Sequence, residues 1–279
     1  MREAELVMTA CRKITERPAL GVIGDIEHFQ ASVLGKVAAR YFNVVFVDRD
    51  GPASAQVFIR WTRTYAIPAD RSKLPRDAFV LNDVPLNVEK TVVQHCFADV
   101  FGRDLALDPT CHHGPCVQKS IQNARHDGQV VIAPIANARA DCVYERVIDN
   151  GVGDLAGEPM ICDIRLPIIG GHIPFAYLKF RPLRSRFANG NTFAKLVAAT
   201  DALSQIELDQ CRAFAQKISL DYGEIDVLRD RPSGLIYIVD ANNRPFGPPN
   251  GLHPLEADVA LRLLGSAFSA AFLSDHPRQ

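Results

Sequence analysis

The sequence predicts an α+β protein with mixed sheets, built in two or three lobes. A strand–helix–strand succession opens it, which argues for a parallel sheet near the N-terminus. From Pro109 the texture changes to short strands separated by polar turns. Helices with one apolar face are set among those strands to the end of the chain.

The elements follow in order. "ALGVIGD" is a strand with a turn, and "EHFQASVLGKVAARYF" a helix with Phe29, Val33, Val37 and Tyr41 on one stripe. "NVVFVDRD" is a second strand. No G-x-G-x-x-G follows the first strand, so a dinucleotide fingerprint is absent. "DAFVLND" is another strand, and "VEKTVVQHCFADVFG" a helix closed by Gly102. "CVQKSIQ", "QVVIAPI" and "CVYERVID" are short strands. "DIRLPIIGGHIPFAYLKFRP" is two strands around a Gly-Gly turn. "SQIELDQCRAFAQKISL" is a helix with a Ser204/Glu207 capping box. A hairpin, "GEIDVLRDRPSGLIYIVDANN", precedes the last helix, "EADVALRLLGSAFSAAFL".

The chain has 279 residues, enough for a sizeable core. A net charge of -1 points neither to nucleic acid nor to an anionic membrane. No apolar run reaches the length of a membrane span. The charged start lacks the apolar core of a signal peptide. Seven scattered cysteines do not suggest a disulfide framework, so cytoplasmic residence is expected. Cys11, Cys96, Cys142, Cys162 and Cys211 read as small core residues. "CHHGPC" reads as a turn between lobes, since no second pair with zinc spacing accompanies it. "VDRD" reads as a strand end, with Asp48 and Asp50 keeping a nucleotide-sugar glycosyltransferase open as an alternative.

The hairpin carries the chemistry. With its turn near Ser233, Asp226 lies opposite Asp240 and Glu224 opposite Asn242, all on one face. Ile225, Val227, Val239 and Ala241 form the core face, while Leu228, Ile236 and Ile238 share the acidic one. Opposed carboxylates repel, and one pKa rises unless a cation sits between them. Mg²⁺ suits such oxygens and also accepts phosphate.

At these residues the chain resembles the ATP-grasp superfamily, in which a strand aspartate is followed by Glu-x-Asn on the next strand. The resemblance, to glutathione-synthetase-like and ribosomal-protein glutamate ligase-like enzymes, implies a fold of two α+β lobes sandwiching ATP after an N-terminal α/β lobe. It divides the chain at 1–85, 86–150 (lid and hinge) and 151–279 (catalytic lobe). It implies Asp226, Asp240 and Asn242 as ligands of Mg²⁺, or Mn²⁺ in its place, although Asp240 stands where Glu is usual. "NVEK" offers Lys90 and "CVQKS" offers Lys119 to the nucleotide. "CVYERVID" is similar to the adenine hinge, with Glu145, Arg146 and Val147 giving backbone groups and Asp149 meeting ribose. "DIRLPIIGGHIPFAYLKFR" resembles the Asp-x-Arg strand pair, offering Arg165, Lys179 and Arg181. "RFANGNT" offers Arg186 and Asn191 to phosphates. One departure is the lid loop "SIQNARHDGQ", which has a single Gly where the family has several; Asn123, Arg125 or His126 are candidate substitutes.

The resemblance implies an ATP-dependent ligase joining a small-molecule carboxylate to an amine, or to a thiol, through an acylphosphate. A small-molecule kinase on the same fold is the alternative. A homodimer is a further expectation, as is a substrate role for the loop "NNRPFGPPNG".

Overall fold

The structure is a computed structural model that describes residues 17–50, 55–62, 69–83, 86–122, 125 and 127–274. Cys11, Asn123 and His126 lie outside the described residues.

The N-terminal lobe is a parallel sheet of β1 (Ala19–Gly24), β2 (Asn43–Phe46), β3 (Val57–Trp61) and β4 (Phe79–Leu81), in the order β2-β1-β3-β4. The expected first helix is two: α1 (Ile26–Ala31) and α2 (Val33–Tyr41). Ser32 sits between them in extended geometry; its hydroxyl donates to the Phe29 carbonyl and accepts from Gly35 N–H. It ends one helix and caps the next. The second strand stops at Phe46, because 47–50 turn into a helical segment fixed by Phe46 N–H donating to Asp50. β3 has no counterpart among the expected elements; its five residues are all buried, as in a parallel sheet covered on both faces.

The lid is a three-stranded antiparallel sheet of β5 (Gly114–Ser120), β6 (Gln129–Ala133) and β7 (Cys142–Arg146), with β5 central. The third sheet is antiparallel and has six strands: β8 (Gly151–Leu155), β9 (Glu158–Ile169), β10 (Ala176–Pro182), β11 (Phe193–Val197), β12 (Tyr222–Arg229) and β13 (Ile236–Asn242). β9 pairs with β10 on one side; on the other it pairs with β8 along its first part and β12 along its last.

One face of this sheet is core. α3 (Lys90–Phe101), closed by Gly102 in left-handed geometry, and α4 (Gln205–Lys217) pack on it. The Ser204/Glu207 capping box starts α4. Phe97, Phe214, Ile225, Val227 and Ala241 are fully buried here. α5 (Pro254–Phe268) instead packs against the N-terminal sheet, with Phe268 between Phe42 and Tyr222. Asn82 joins the lobes beyond β4. Its N–H donates to Asp221 at 2.7 Å, its amide to Tyr222 O at 2.7 Å, and its Oδ1 accepts from Asp221 N and Tyr222 N.

The hairpin register holds at its acidic end, with Glu224 opposite Asn242 and Asp226 opposite Asp240. A bulge then leaves Val239 unpaired, so Val227 faces Ile238. The extra residue flips the rest of β13: Ile236 and Ile238 point into the core, not to the acidic face, and Val239 joins Leu228 on the cleft side.

Candidate active site

A cleft of about 1540 Å³ opens between the lid and the other face of the six-stranded sheet. Twelve of the fourteen expected site residues line it: Lys90, Lys119, Glu145, Arg146, Arg165, Lys179, Arg181, Arg186, Asn191, Asp226, Asp240 and Asn242. Period-two alternation makes this possible, because Asp163 and Arg165 on β9, Lys179 and Arg181 on β10, and Asp226 and Asp240 on the hairpin occupy cleft-facing positions of paired strands.

The other two residues are corrections. Asp149 turns away from the cleft: its carboxylate accepts from Arg231 at 2.7 Å and from Gly151 N, and its carbonyl accepts from Arg231 N. Val147 also falls outside the lining, which at this point is made by Ile148 and Asn150. β7 ends at Arg146, and beyond it Arg231 holds the Asp149 carboxylate off the cleft.

Around Asp226 the charges are paired by the protein itself. Arg165 donates from Nε to Oδ1 and from Nη2 to Oδ2, both at 2.8 Å, and Lys179 Nζ donates to Oδ1 at 3.0 Å. Burial alone would raise this carboxyl's pKa, but Arg165 and Lys179 hold it far below the usual carboxylate range. Arg165 also reaches Glu224 at 3.3 Å. Glu224 is buried, which pushes its pKa up against the opposing pull of Arg165, and neither of its oxygens has a hydrogen-bond partner. Lys179 is buried too, and desolvation lowers its pKa against the pull of Asp226. The cross-strand pairing of Asp226 with Asp240 is kept, and the hydrogen-bond partners of Asp226 come from residues 61 and 47 positions away.

Other cations line the cleft walls. Lys90 pairs with Asp240. Lys119 lies 2.7 Å from Glu145 and donates to Val239 O at 3.0 Å, while Gln94 donates to the other Glu145 oxygen. Arg181 pairs with Asp163, whose second oxygen accepts from Asn150. Arg186 donates to Ile148 O at 2.8 Å, and burial lowers its pKa. Arg184 points outward to Glu158. Phe246, Gly247, Pro248 and Pro249 line the cleft toward the N-terminal lobe, so the loop after the hairpin does reach the site.

The carboxylate pair does not fit the shared divalent ion expected for it. Asp226 spends both oxygens on Arg165 and Lys179, and Asn242 Oδ1 accepts from Arg244 N–H. Among the described residues no group of three His, Cys, Asp or Glu side chains could hold a metal ion. In the lid, Cys116 is buried in the small core and Cys111 is exposed. Asp48 and Asp50 pair with Lys73 and Arg49 and do not line the cleft, so the glycosyltransferase alternative has no site there.

A parallel N-terminal sheet, a small antiparallel lid and a larger antiparallel sheet, with a cation-rich cleft between the last two, make the ATP-grasp fold, and this chain has it. Solved structures match it over nearly their whole length. A structure of the ATP-grasp ligase PsnB complexed with minimal precursor, Mg and ADP is 15% identical, covering 91% of this chain and 98% of that one at a TM-score of 0.58. The D-alanine–D-alanine ligase from Bacillus anthracis complexed with ATP is 13% identical (92% and 98%, TM-score 0.55). The VanG D-Ala:D-Ser ligase from Enterococcus faecalis is 9% identical (92% and 99%, TM-score 0.59). No protein-family model matches the sequence, and no curated protein matches it significantly.

Proposed function

We propose that this chain is an ATP-dependent ligase that activates a carboxylate as an acylphosphate and transfers the acyl group to an amine. The observation that carries the reading is the convergence of Lys119, Arg165, Lys179, Arg181 and Arg186, from both walls, on one cleft of this fold. Such a constellation suits phosphoryl transfer, where catalysis is positioning and charge stabilisation with no protein nucleophile. The volume supports two ligands, since single pockets typically run to about 300–1,000 Å³. The likeness to a ligase bound to a precursor and to two D-alanine-using ligases supports a carboxylate substrate.

In this reading the backbone of 145–146 and the wall at Ile148 and Asn150 take the nucleoside. Lys119 and Arg186 offset phosphate charge from the lid side and the edge. Lys179 and Arg181 do so from the sheet. ATP supplies the phosphoryl group; a substrate carboxylate oxygen attacks it as the bond to ADP breaks. Arg165 lies beside the resulting acylphosphate. The amine nitrogen then attacks the acyl carbon, phosphate leaves and the nitrogen loses a proton. The lid excludes water that would hydrolyse the intermediate.

The test is ADP release across a panel of carboxylic acids, each with and without amines. Turnover that needs both an acid and an amine, with an amide product, supports the ligase. A stable phosphorylated product makes the protein a kinase. A thioester formed when thiol replaces amine moves it to the carboxylate–thiol class.

A further inference from the structure

The acidic face of the hairpin is already neutral. Glu224, Asp226 and Asp240 meet Arg165, Lys179 and Lys90 on the same wall of the cleft. The two opposed aspartates are not held alike, however. Asp226 accepts three hydrogen bonds, two of them from the planar fork of an arginine that is itself fixed by Glu224. Releasing it would strand Lys179, which is 4% exposed. Asp240 is held by a single lysine, and its side chain is 30% exposed against 16% for Asp226. A divalent ion bridging both would sit against two fixed cations, where repulsion in a poorly hydrated wall is strong.

Building on the nucleotide-binding reading above, we propose that Asp226 does not ligate metal here. It is the anchor that holds Arg165 and Lys179 as a fixed cationic pair for the nucleotide and acylphosphate oxygens. At most one divalent ion then enters with the nucleotide, taken by Asp240 when Lys90 swings from it toward phosphate. The chain would thus replace one metal ion with a guanidinium and an ammonium.

The experiment counts ions on the full-length protein, titrating Mn²⁺ by electron paramagnetic resonance at saturating AMPPNP, with AMPPNP affinity measured separately by calorimetry with and without Mn²⁺. One Mn²⁺ per chain is expected, with AMPPNP still bound when EDTA removes the metal. Asp240→Asn should weaken Mn²⁺ by about tenfold or more, the scale of losing a group around a metal. Asp226→Asn should keep the single Mn²⁺ within about threefold while weakening metal-free AMPPNP. Should that variant fail to fold, Lys179→Met, which leaves Asp226 with Arg165, tests the same point, with one Mn²⁺ retained and metal-free AMPPNP weakened. Two Mn²⁺ per wild-type chain, or loss of the ion in folded Asp226→Asn, overturns the inference and leaves the ATP-grasp reading intact. No AMPPNP binding under either condition overturns both.

Discussion

The two walls of the cleft both hold cations in buried pairs, Lys119 with Glu145 on the lid, but differ in the core behind them. The six-stranded sheet is backed by a large core, and its charges are pinned in pairs from neighbouring strands. The lid has a core of three buried residues, Cys116, Ala133 and Tyr144, and leaves Val130 and Ile132 exposed on its edge strand. Both walls fix cations through buried partners; what differs is the internal stability behind them, and a thin core suits local opening.

The sharpest way to break that comparison is Asp226→Ala. Buried Lys179 then loses its partner and Arg165 keeps only Glu224, and a loss of about 3–5 kcal/mol is expected. Urea denaturation measures it; a cost under about 1 kcal/mol would mean the wall is not held by its charges. Next comes Arg186→Ala. Its side chain's one hydrogen bond is to a backbone carbonyl, so stability should change by less than about 1 kcal/mol. If Arg186 meets phosphate, turnover should fall by about 10²-fold. Equal losses in both readouts would make it a structural residue.

Acid tests the charges themselves. The Asp226 carboxyl is depressed in the folded state, so its contribution is present above the unfolded-state value near 4 and is lost as pH falls below it. On the lid, Arg139 holds the Asp141 carboxyl down at about 2, which has the same sign, but this pair is fully exposed. Denaturation between about pH 5 and pH 3 should therefore show a loss that survives salt of about 0.5 M and flattens in Asp226→Asn. Arg139→Ala should leave the curve where it was. The smallest effect is expected from Ile132→Ala: at 71% exposure it should move stability by no more than about 0.5 kcal/mol. A larger loss would mean the lid edge is covered by something in solution.

Part of this site was legible in the residues alone. The pairing of Asp226 with Asp240 follows from the period of two and a short turn, and the structure keeps it. The same reasoning carried Ile236 and Ile238 to the wrong face, because nothing in "GLIYIVD" marks Val239 as the residue that bulges. The sequence suggested that something positive must separate the aspartates. It could not show that β9 lies beside β12, which brings Arg165 within reach of Asp226. Asp149 was placed at the ribose by its position after the hinge, and missed because its partner, Arg231, lies in the distant hairpin turn. At fold level the helix ends were readable from Ser204, Glu207 and Gly102. β3, β8 and β11 escaped: β3 is a continuous apolar run with one arginine, β8 carries two glycines and an aspartate, and β11 has a lysine at its centre.

Asn82 has a consequence for the order of events. Four hydrogen bonds from one residue bolt the N-terminal sheet to the start of β12, the strand that carries Asp226 two turns of the pleat further on. The N-terminal sheet is thereby tied to the strand that carries Asp226. Under the proposed function, closure over a guest would then fall to the three-stranded sheet rather than to the N-terminal lobe.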